Sequence, residues 1–449
     1  MKRVQFIIFV AITLMINFNA QKGFAMDNIL LIKNINIIPM NKNEVLYNKN
    51  VLIKDGIISD IFDHGMKTDF PENIEIIDGI NSIRLLDGKN LFLIPGLTDM
   101  HVHINNKSDL QLFIKNGVTT VQNMWGYEGF INSLGFANQL KYKKLIEEGK
   151  LLGPHIISAG SIIEGKPKNH PFMLEVTNKN QAIKLVNQQI KDGYNFIKIY
   201  DNISLDVYLA ISEECKNKKI PLKGHVPFNV GLKTVINAGQ RQIDHLTGFL
   251  NYDKVQLIIS DEEINQYSSI MFKNNVYACP TIVFTQKRVK VSEIEKMSDH
   301  PAMKYLNGMQ KFFLYQSVKS LEEDLDYKGT DYQKDVFELY KKVILKLVEN
   351  NAPILAGTDT GNPFVFPGYS LHEELQLLVL AGLSNYDALI TATVNPMKSL
   401  NKLNEYGTVE IGKKADLIIL NTNPLENISN SKDIKCVIFN GKIINIDSL

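Results

Sequence analysis

Cysteine is scarce in this 449-residue chain, which has only three: Cys215, Cys279 and Cys436. They are too few and too scattered for a disulfide framework or a thiolate zinc site, and an odd number leaves at least one thiol free within a single chain. Tryptophan occurs once, at Trp125. Neither sign of charge is in excess. Lys plus Arg number 49 and Asp plus Glu 48, a net charge of +1, so whole-chain attraction to nucleic acid or an anionic membrane is not indicated. Past the N-terminus no apolar run reaches the ~20 residues that a spanning helix needs. No internal repeat stands out. The hydrophobic fraction of 45% and charged fraction of 22% exclude a largely disordered chain. At about 150 residues per domain, the length suggests roughly three domains, or one large barrel with a smaller companion.

The first 25 residues read as an address. A basic start, Met-Lys-Arg, is followed by VQFIIFVAITLMINF and a small-residue end, with Gly23 and Ala25 at −3 and −1 of a cleavage before Met26. That is the layout of a signal peptide. The expectation is an exported protein, periplasmic or secreted, with no stable membrane insertion after cleavage.

Residues 26–94 then read as short strands, with Asp55-Gly56 as a hairpin signal. From 95 to 395 apolar strand-like runs alternate with helical patterns. Eight such runs can be traced: FLIPGLTDMHVHI ending near 104, 118–124, 155–160, 195–200, 221–226, 242–247, YACPTIVF at 277–284 and PILAGTDT at 353–360. Among the helices, one is expected from Asn178 to a stop at Gly193. Another spans 204–217, capped by Ser204, with Leu205, Tyr208, Leu209 and Ser212 on one face. Eight strand–helix units predict an α/β fold, a closed (β/α)₈ TIM barrel. A charged, aromatic-rich helical insertion is expected near 285–345. From 396 to 449 short strands return, with a second hairpin signal at Asn440-Gly441. The simplest arrangement joins both ends in one small β-sandwich, with the barrel inserted in it.

The chemistry concentrates at strand ends. His101 and His103 form His-x-His, and a period of two puts both on one face of their strand. His225 and His245 end the fifth and sixth strands, and Asp359 ends the eighth. Barrel active sites form where the strand C-termini converge, and imidazole with carboxylate suits zinc and similar divalent ions. Lys198 lies inside the apolar run Phe-Ile-Lys-Ile-Tyr, where a bare ammonium carries a desolvation penalty. It can pair with a carboxylate, act as a neutral Schiff-base amine, or be carboxylated by CO₂ to a carbamate. The carbamate gives the surrounding histidines a bridging anion. The Schiff base, as in an aldolase, leaves five metal-ligand side chains without a use.

In this order the residues resemble the metal-dependent amidohydrolase superfamily. The segments GYNFIKIYDNIS, GHVPFNVGL and SLHEELQLLVLAGLSNYDALITATVNP are most similar to the branch of imidazolonepropionase-like proteins and prolidase-type Xaa-Pro dipeptidases. The resemblance implies two divalent ions, of which zinc is the expected metal. His101, His103 and Asp359 would hold one, His225 and His245 the other, and carboxylated Lys198 would bridge them. It implies hydrolysis of an amide or peptide bond by a metal-bridging hydroxide, with Asp359 as the proton-transferring catalytic residue. The implied partner is a small amide, N-acyl amino acid or dipeptide. A lactone or phosphotriester hydrolase, and a non-catalytic metal binder, are the alternatives, and a homo-oligomer is left open. Dipeptidases of this branch carry a tyrosine soon after the strand-5 histidine, where Val226-Pro227-Phe228 offers no hydroxyl. They also carry a histidine in the loop after strand 3, for which His170 is the candidate. Tyr200 and Trp125 are further candidates for substrate contact. His372-Glu373-Glu374 is expected to fix a helix start against the barrel.

Overall fold

Both hairpin signals turn the chain as expected, and the two turns meet. Asp55 and Gly56 have φ of +49° and +77°, and Asn440 and Gly441 have +50° and +73°. Positive φ at both central residues is the type I′ requirement that Asx-Gly meets without strain. A Cβ on Gly441 would sit 2.5 Å from the Gly56 Cα, so each turn needs its glycine for close approach as well. The computed structural model describes residues 29–65, 83–126, 137–288, 293–306, 308–323 and 325–449. The expected signal peptide lies outside them.

One mixed eight-stranded sheet gathers both ends of the chain. It contains β1 (Ile29–Ile37), β2 (Leu46–Lys54), β3 (Ile57–Asp63), β4 (Ile83–Asp87) and β5 (Phe92–Pro95). The distant strands of the same sheet come from the C-terminal segment. Of these, Leu417–Leu420 pairs antiparallel with β5 and with Ile434–Phe439, which in turn pairs with Lys442–Ile444. The sheet curls far enough that Ile57 bridges Lys414. Inside the curl, Ile32, Val51, Ile53, Leu93, Leu417, Ile419 and Ile438 share one apolar core.

Parallel strands occupy the middle of the chain. A three-stranded sheet comprises β6 (Leu97–Val102), β7 (Val118–Asn123) and β8 (His155–Ser158). A six-stranded one comprises β9 (Ile163–Glu164), β10 (Leu174–Glu175), β11 (Ile197–Ile199), β12 (Leu222–Gly224), β13 (Gln242–Asp244) and Tyr277–Cys279. Strands β6, β7, β11, β12 and β13 are buried along their whole length, the pattern of strands covered on both faces. Single parallel bridges continue the path: Ala159 to Phe196, Ala278 to Ile354 and Val102 to Thr360.

The helices follow the sequence signals, with instructive exceptions. The helix Lys179–Asp192 is capped by the Asn178 side chain and stops at Gly193, φ +93°. The helix Leu205–Lys218 starts after Ser204, but the expected side-chain cap is not made, the Ser204 hydroxyl donating instead to Asp206 Oδ1, and the buried face is Val207, Tyr208, Ile211, Ser212 and Cys215. Leu205 and Leu209 are 44% and 45% exposed, because the competing stripe at 207, 208, 211 and 215 turns them outward. The strand expected over 277–284 ends at Cys279. Pro280 has no N–H to extend the ladder, and the Glu374 carboxylate accepts the Ile282 and Val283 N–H groups, starting the short helix Ile282–Gln286. The 353–360 run forms only the bridges at Ile354 and Thr360 and no strand of its own. The expected insertion is helical, with Ile294–Ser298, a 3₁₀ turn at Pro301–Tyr305 and a long helix, Gly308–Glu323. No helix among the described residues is long and apolar enough to cross a membrane. All three cysteines are free and buried.

Candidate metal centre

A cavity of about 640 Å³ opens where the parallel strands end. His101, His103, Lys198, His225, His245 and Asp359 all line it, as do Trp125 and Tyr200. His170 does not line it. It stands behind Trp125, ring to ring at 4.9 Å, with its Nδ1 accepting the Phe172 N–H.

Local backbone geometry aims these side chains. Gly224 has φ +131°, and a Cβ there would fall 2.3 Å from the Ile199 carbonyl oxygen. Only glycine lets the chain enter His225 along this path. A Cβ on Gly357 would lie 2.4 Å from Cys279 Sγ and 2.8 Å from His101 Cβ, so that glycine lets the Asp359 segment close against β6. His245 and Asp359 themselves have φ of +56° and +60°. Left-handed non-glycine residues are strained and cluster at functional sites.

His101, His103 and Asp359 form one compact group, their donor atoms all within 4.8 Å of one another. Asp359 Oδ1 lies 3.3 Å from His101 Nε2 and 3.0 Å from His103 Nε2. The rings of His245 and His101 are 4.6 Å apart, and those of His225 and His245 5.0 Å. Asp201 accepts from His225 Nδ1 at 2.7 Å. His245 Nδ1 is 2.6 Å from Thr281 Oγ1, whose own proton goes to the Pro280 carbonyl. Thr281 is therefore the acceptor, and in both histidines the Nε2 lone pair is left free for a Lewis acid. Both ring nitrogens of His101, Nε2 of His225 and Oδ1 of Asp359 are buried without a properly directed hydrogen bond. Buried polar atoms left without hydrogen bonds are rare, and this set of imidazoles and a carboxylate fits a divalent cation.

The charges compensate one another. Burial works against an ionised Asp359, yet His101 and His103 hold its carboxyl well below the usual range. Burial drives His245 well below the ordinary imidazole value, and pulls His103 down despite Asp359. The Lys198 amine, 1% exposed, pairs with Asp244, the first of the three explanations that the sequence allowed. Asp244 is itself kept ionised against burial by Lys198 and His101.

The sequence reading missed Asp244. A period of two puts it on the face opposite His245, but the left-handed His245 breaks the alternation, and both turn inward. Lys223 was missed too, although it carries the same signal as Lys198, a lysine in an apolar strand. It is register-paired with Lys198 and 1% exposed, and its Nζ donates to Gln122 Oε1. Burial depresses its pKa to about 7. Gln122 and Gln242 continue this buried chain to Asp244 Oδ1. Tyr252, Asp253 and Arg288 complete the cavity wall. Tyr252 lies 6.3 Å from His245 ring to ring, while Tyr200 stacks on His225 at 4.0 Å.

The sequence profile of the amidohydrolase family matches residues 92–444. The chain belongs to this family. This amidohydrolase is 23% identical over 455 residues to a 5'-deoxyadenosine deaminase of Methanococcus maripaludis, covering 88% of this chain and 96% of the relative. It is 20% identical to an ochratoxinase of Aspergillus niger, covering 88% and 82%. Among solved structures, a Xaa-Pro dipeptidase with bound methionine superposes with a TM-score of 0.69 at 21% identity, covering 93% of this chain and all of that one. The superfamily expected from the histidine, lysine and aspartate order is thus borne out.

Proposed function

We propose that this amidohydrolase cleaves the C–N bond of an amide or peptide in a small substrate, and that it does so with divalent metal. The observation that carries the reading is the set of buried donor atoms without hydrogen bonds on His101, His225 and Asp359 at the floor of the cavity. His101, His103 and Asp359 would hold one ion, and His225 and His245 a second, with carboxylated Lys198 between them. Bound there, divalent ions supply Lewis-acid polarisation of the carbonyl and an acidified water. The fold reading that goes with this is a closed (β/α)₈ barrel over 95–395. It is supported by single bridges that link the two parallel sheets through the 354–360 segment. The curled sheet around its own core supports a terminal β-sandwich. We infer export from the layout of residues 1–25.

The chain's own groups perform the proton work. Asp359 is ionised and lines the cavity, where its carboxylate is placed to take the water's proton and return it to the departing amine. Tyr252 and Tyr200 both face the cavity. Burial pushes both hydroxyls well above the usual phenol range, so each stays protonated as a donor. We assign Tyr252 the carbonyl-polarising role that Val226-Pro227-Phe228 cannot fill. Asp201 and Thr281 fix the tautomers of His225 and His245. For Lys198, the ammonium first gives up one proton to solvent; the neutral amine then forms one N–C bond to CO₂ and gives up a second proton, leaving a carbamate anion. Asp244, relieved of the ammonium, keeps the Gln242 amide donating to its Oδ1 at 2.7 Å, with His101 Nδ1 3.3 Å away.

Metal per chain by elemental analysis, with a panel of N-acyl amino acids, Xaa-Pro dipeptides, 5'-deoxyadenosine, lactones and phosphotriesters, tests the reading. Amine release at about two metals per chain is expected, with Lys198→Ala losing metal and activity together and partly regaining both with a short carboxylic acid. Ammonia from 5'-deoxyadenosine with no amide turnover would replace the proposed reaction with a deamination. Full activity in Lys198→Ala would remove the bridging role.

A further inference from the structure

A second cavity, of about 530 Å³, adjoins the first and shares Asn105, Gly361 and Asn362 with it. The junction sits beside a candidate metal ligand, since a Cβ on Gly361 would lie 2.8 Å from His103 Cβ. The two chambers differ in character. Histidines and acids line the first, whereas Leu306, Phe313, Leu314, Phe364, Val365 and Phe366 wall much of the second.

One helix roofs both. On Gly308–Glu323, Phe313 and Ser317 line the second chamber and Leu321 the first. Intervals of four put these three on one stripe running along the helix axis. The neighbouring stripe, Leu314 and Val318, packs with Phe364, Phe366, Ala302 and Met303 in a small separate core. The helix is thus pinned by one face while the adjacent face borders the chambers. Phe313 is 60% exposed, a large apolar surface left to water at the wall of a chamber that shares part of its lining with the candidate site.

We propose that the second chamber is a substrate subsite, and that it takes a long or bulky apolar arm of the scissile amide. This deepens the proposed function by naming the substrate as an amphiphilic amide, and it rests on that reading. The lining shared with the first chamber selects this occupant over a separate protein partner, because an arm carried on the scissile amide reaches Asn105, Gly361 and Asn362 from the candidate site itself. Gly361 belongs to the design, since its φ of +112° excludes other residues from the junction.

The test uses the full enzyme and two substrate series. In one, a single amino acid carries acetyl, octanoyl or dodecanoyl on its nitrogen. In the other, an acetyl group is held constant and the amine side lengthens. We expect kcat/KM to rise by about tenfold or more from the shortest to the longest member of one series, which identifies the arm that enters. Ser317→Trp fills the chamber from an exposed helix position, and Phe313→Asp charges its wall. Both should flatten the length dependence while thermal unfolding shows an intact fold. Calorimetry with non-hydrolysable sulfonamides of the same lengths separates the two claims. Length-dependent binding without amide turnover upholds the subsite and rejects the amide reaction. Turnover and binding indifferent to length in both series overturn the subsite and leave the reaction standing. A dimer dissociated by Ser317→Trp with unchanged length selectivity would assign the groove to a second copy of the chain and overturn it as well.

Discussion

A buried histidine outside the cavity shows how much a single side chain can be asked to do. His372 Nδ1 lies 2.9 Å from Ser431 Oγ, and its Nε2 is 3.0 Å from the Asn116 carbonyl oxygen. The carbonyl can only accept, so Nε2 carries the proton and Nδ1 accepts from serine. The neutral ring is fully satisfied and ties its helix to two other segments, the structural role expected for it. Burial depresses its pKa to about 4. Its folded value lies below the unfolded ~6.5, so the unfolded chain binds the extra proton. The stability that His372 contributes is therefore complete above pH ~6.5 and is lost as pH falls toward 4. The loss is on the order of 3 kcal/mol. Urea unfolding of His372→Gln and wild type, each across that window, should show the wild-type slope reduced in the variant. Parallel curves would place the acid sensitivity elsewhere. Tyr252→Phe tests a residue that the sequence reading passed over. If its hydroxyl donates to the carbonyl in the transition state, kcat falls by about a hundredfold with little change in KM. A change confined to KM would make it a wall and nothing more.

Legibility at this scale followed from how each residue signals. His101, His103, His225, His245 and Asp359 were readable because strand-end positions converge whatever the loops do. Lys198 was readable because an amine in an apolar strand contradicts its surroundings. Lys223 sends the same signal, and its neighbours Gln122 and Phe196 lie far from it in sequence. Asp244 was not readable, since strict alternation from an inward His245 turns it away; in fact Asp244 shares the inward face with Gln242, and it is the left-handed His245 that departs from the alternation. Tyr252 and Arg288 sit in connections, where no periodicity reports direction.

Elements fared according to whether their limits are local. Asn178 and Gly193 bound their helix through groups within it, and both were legible. The start of the Ile282–Gln286 helix depends on Glu374, some ninety residues away, and was not. The roof helix is a tertiary element of the second kind. Arg288 Nη1 pairs with Asp253, its Nη2 reaches the Leu321 carbonyl at 3.4 Å, and its guanidinium lies 5.7 to 5.8 Å from the Tyr252, Phe284 and Tyr332 rings. A cation at the last carbonyls of a helix complements their partial charge. Arg288→Met should destabilise by about 1–3 kcal/mol. Amide exchange should quicken in 311–323 more than in the neighbouring Tyr332–Glu349 helix. Arg288→Lys should not restore protection, because an ammonium lacks the flat fork that serves carboxylate, carbonyl and rings together. Equal quickening in both helices would mean that Arg288 stabilises the fold at large and leaves the roof no special strut.

For the whole molecule, the question is whether the fold depends on metal. Small zinc modules unfold when the ion is removed because it is their core. Here the apolar core extends through helices and strands far from the cavity, and the terminal sheet encloses another. The groups of the site also compensate one another directly, Asp359 against His101 with His103 beside it, and Asp244 against Lys198 and His101. Once the Lys198 carbamate gives back its CO₂ and returns to the ammonium, removing the bound ions exposes no uncompensated cluster of like charge that would force the strands apart. The cost is the lost binding free energy alone, about 2.7 kcal/mol for an ion held at a hundred times its dissociation constant. In a chain of this length that amounts to a few degrees in Tm. Dialysis against a chelator should abolish activity and lower Tm by that much. Far-ultraviolet circular dichroism should stay unchanged, and added zinc should restore both activity and Tm. Loss of secondary structure on chelation would show that the ions hold the parallel sheets together, and the compensation argued here would be too weak to matter.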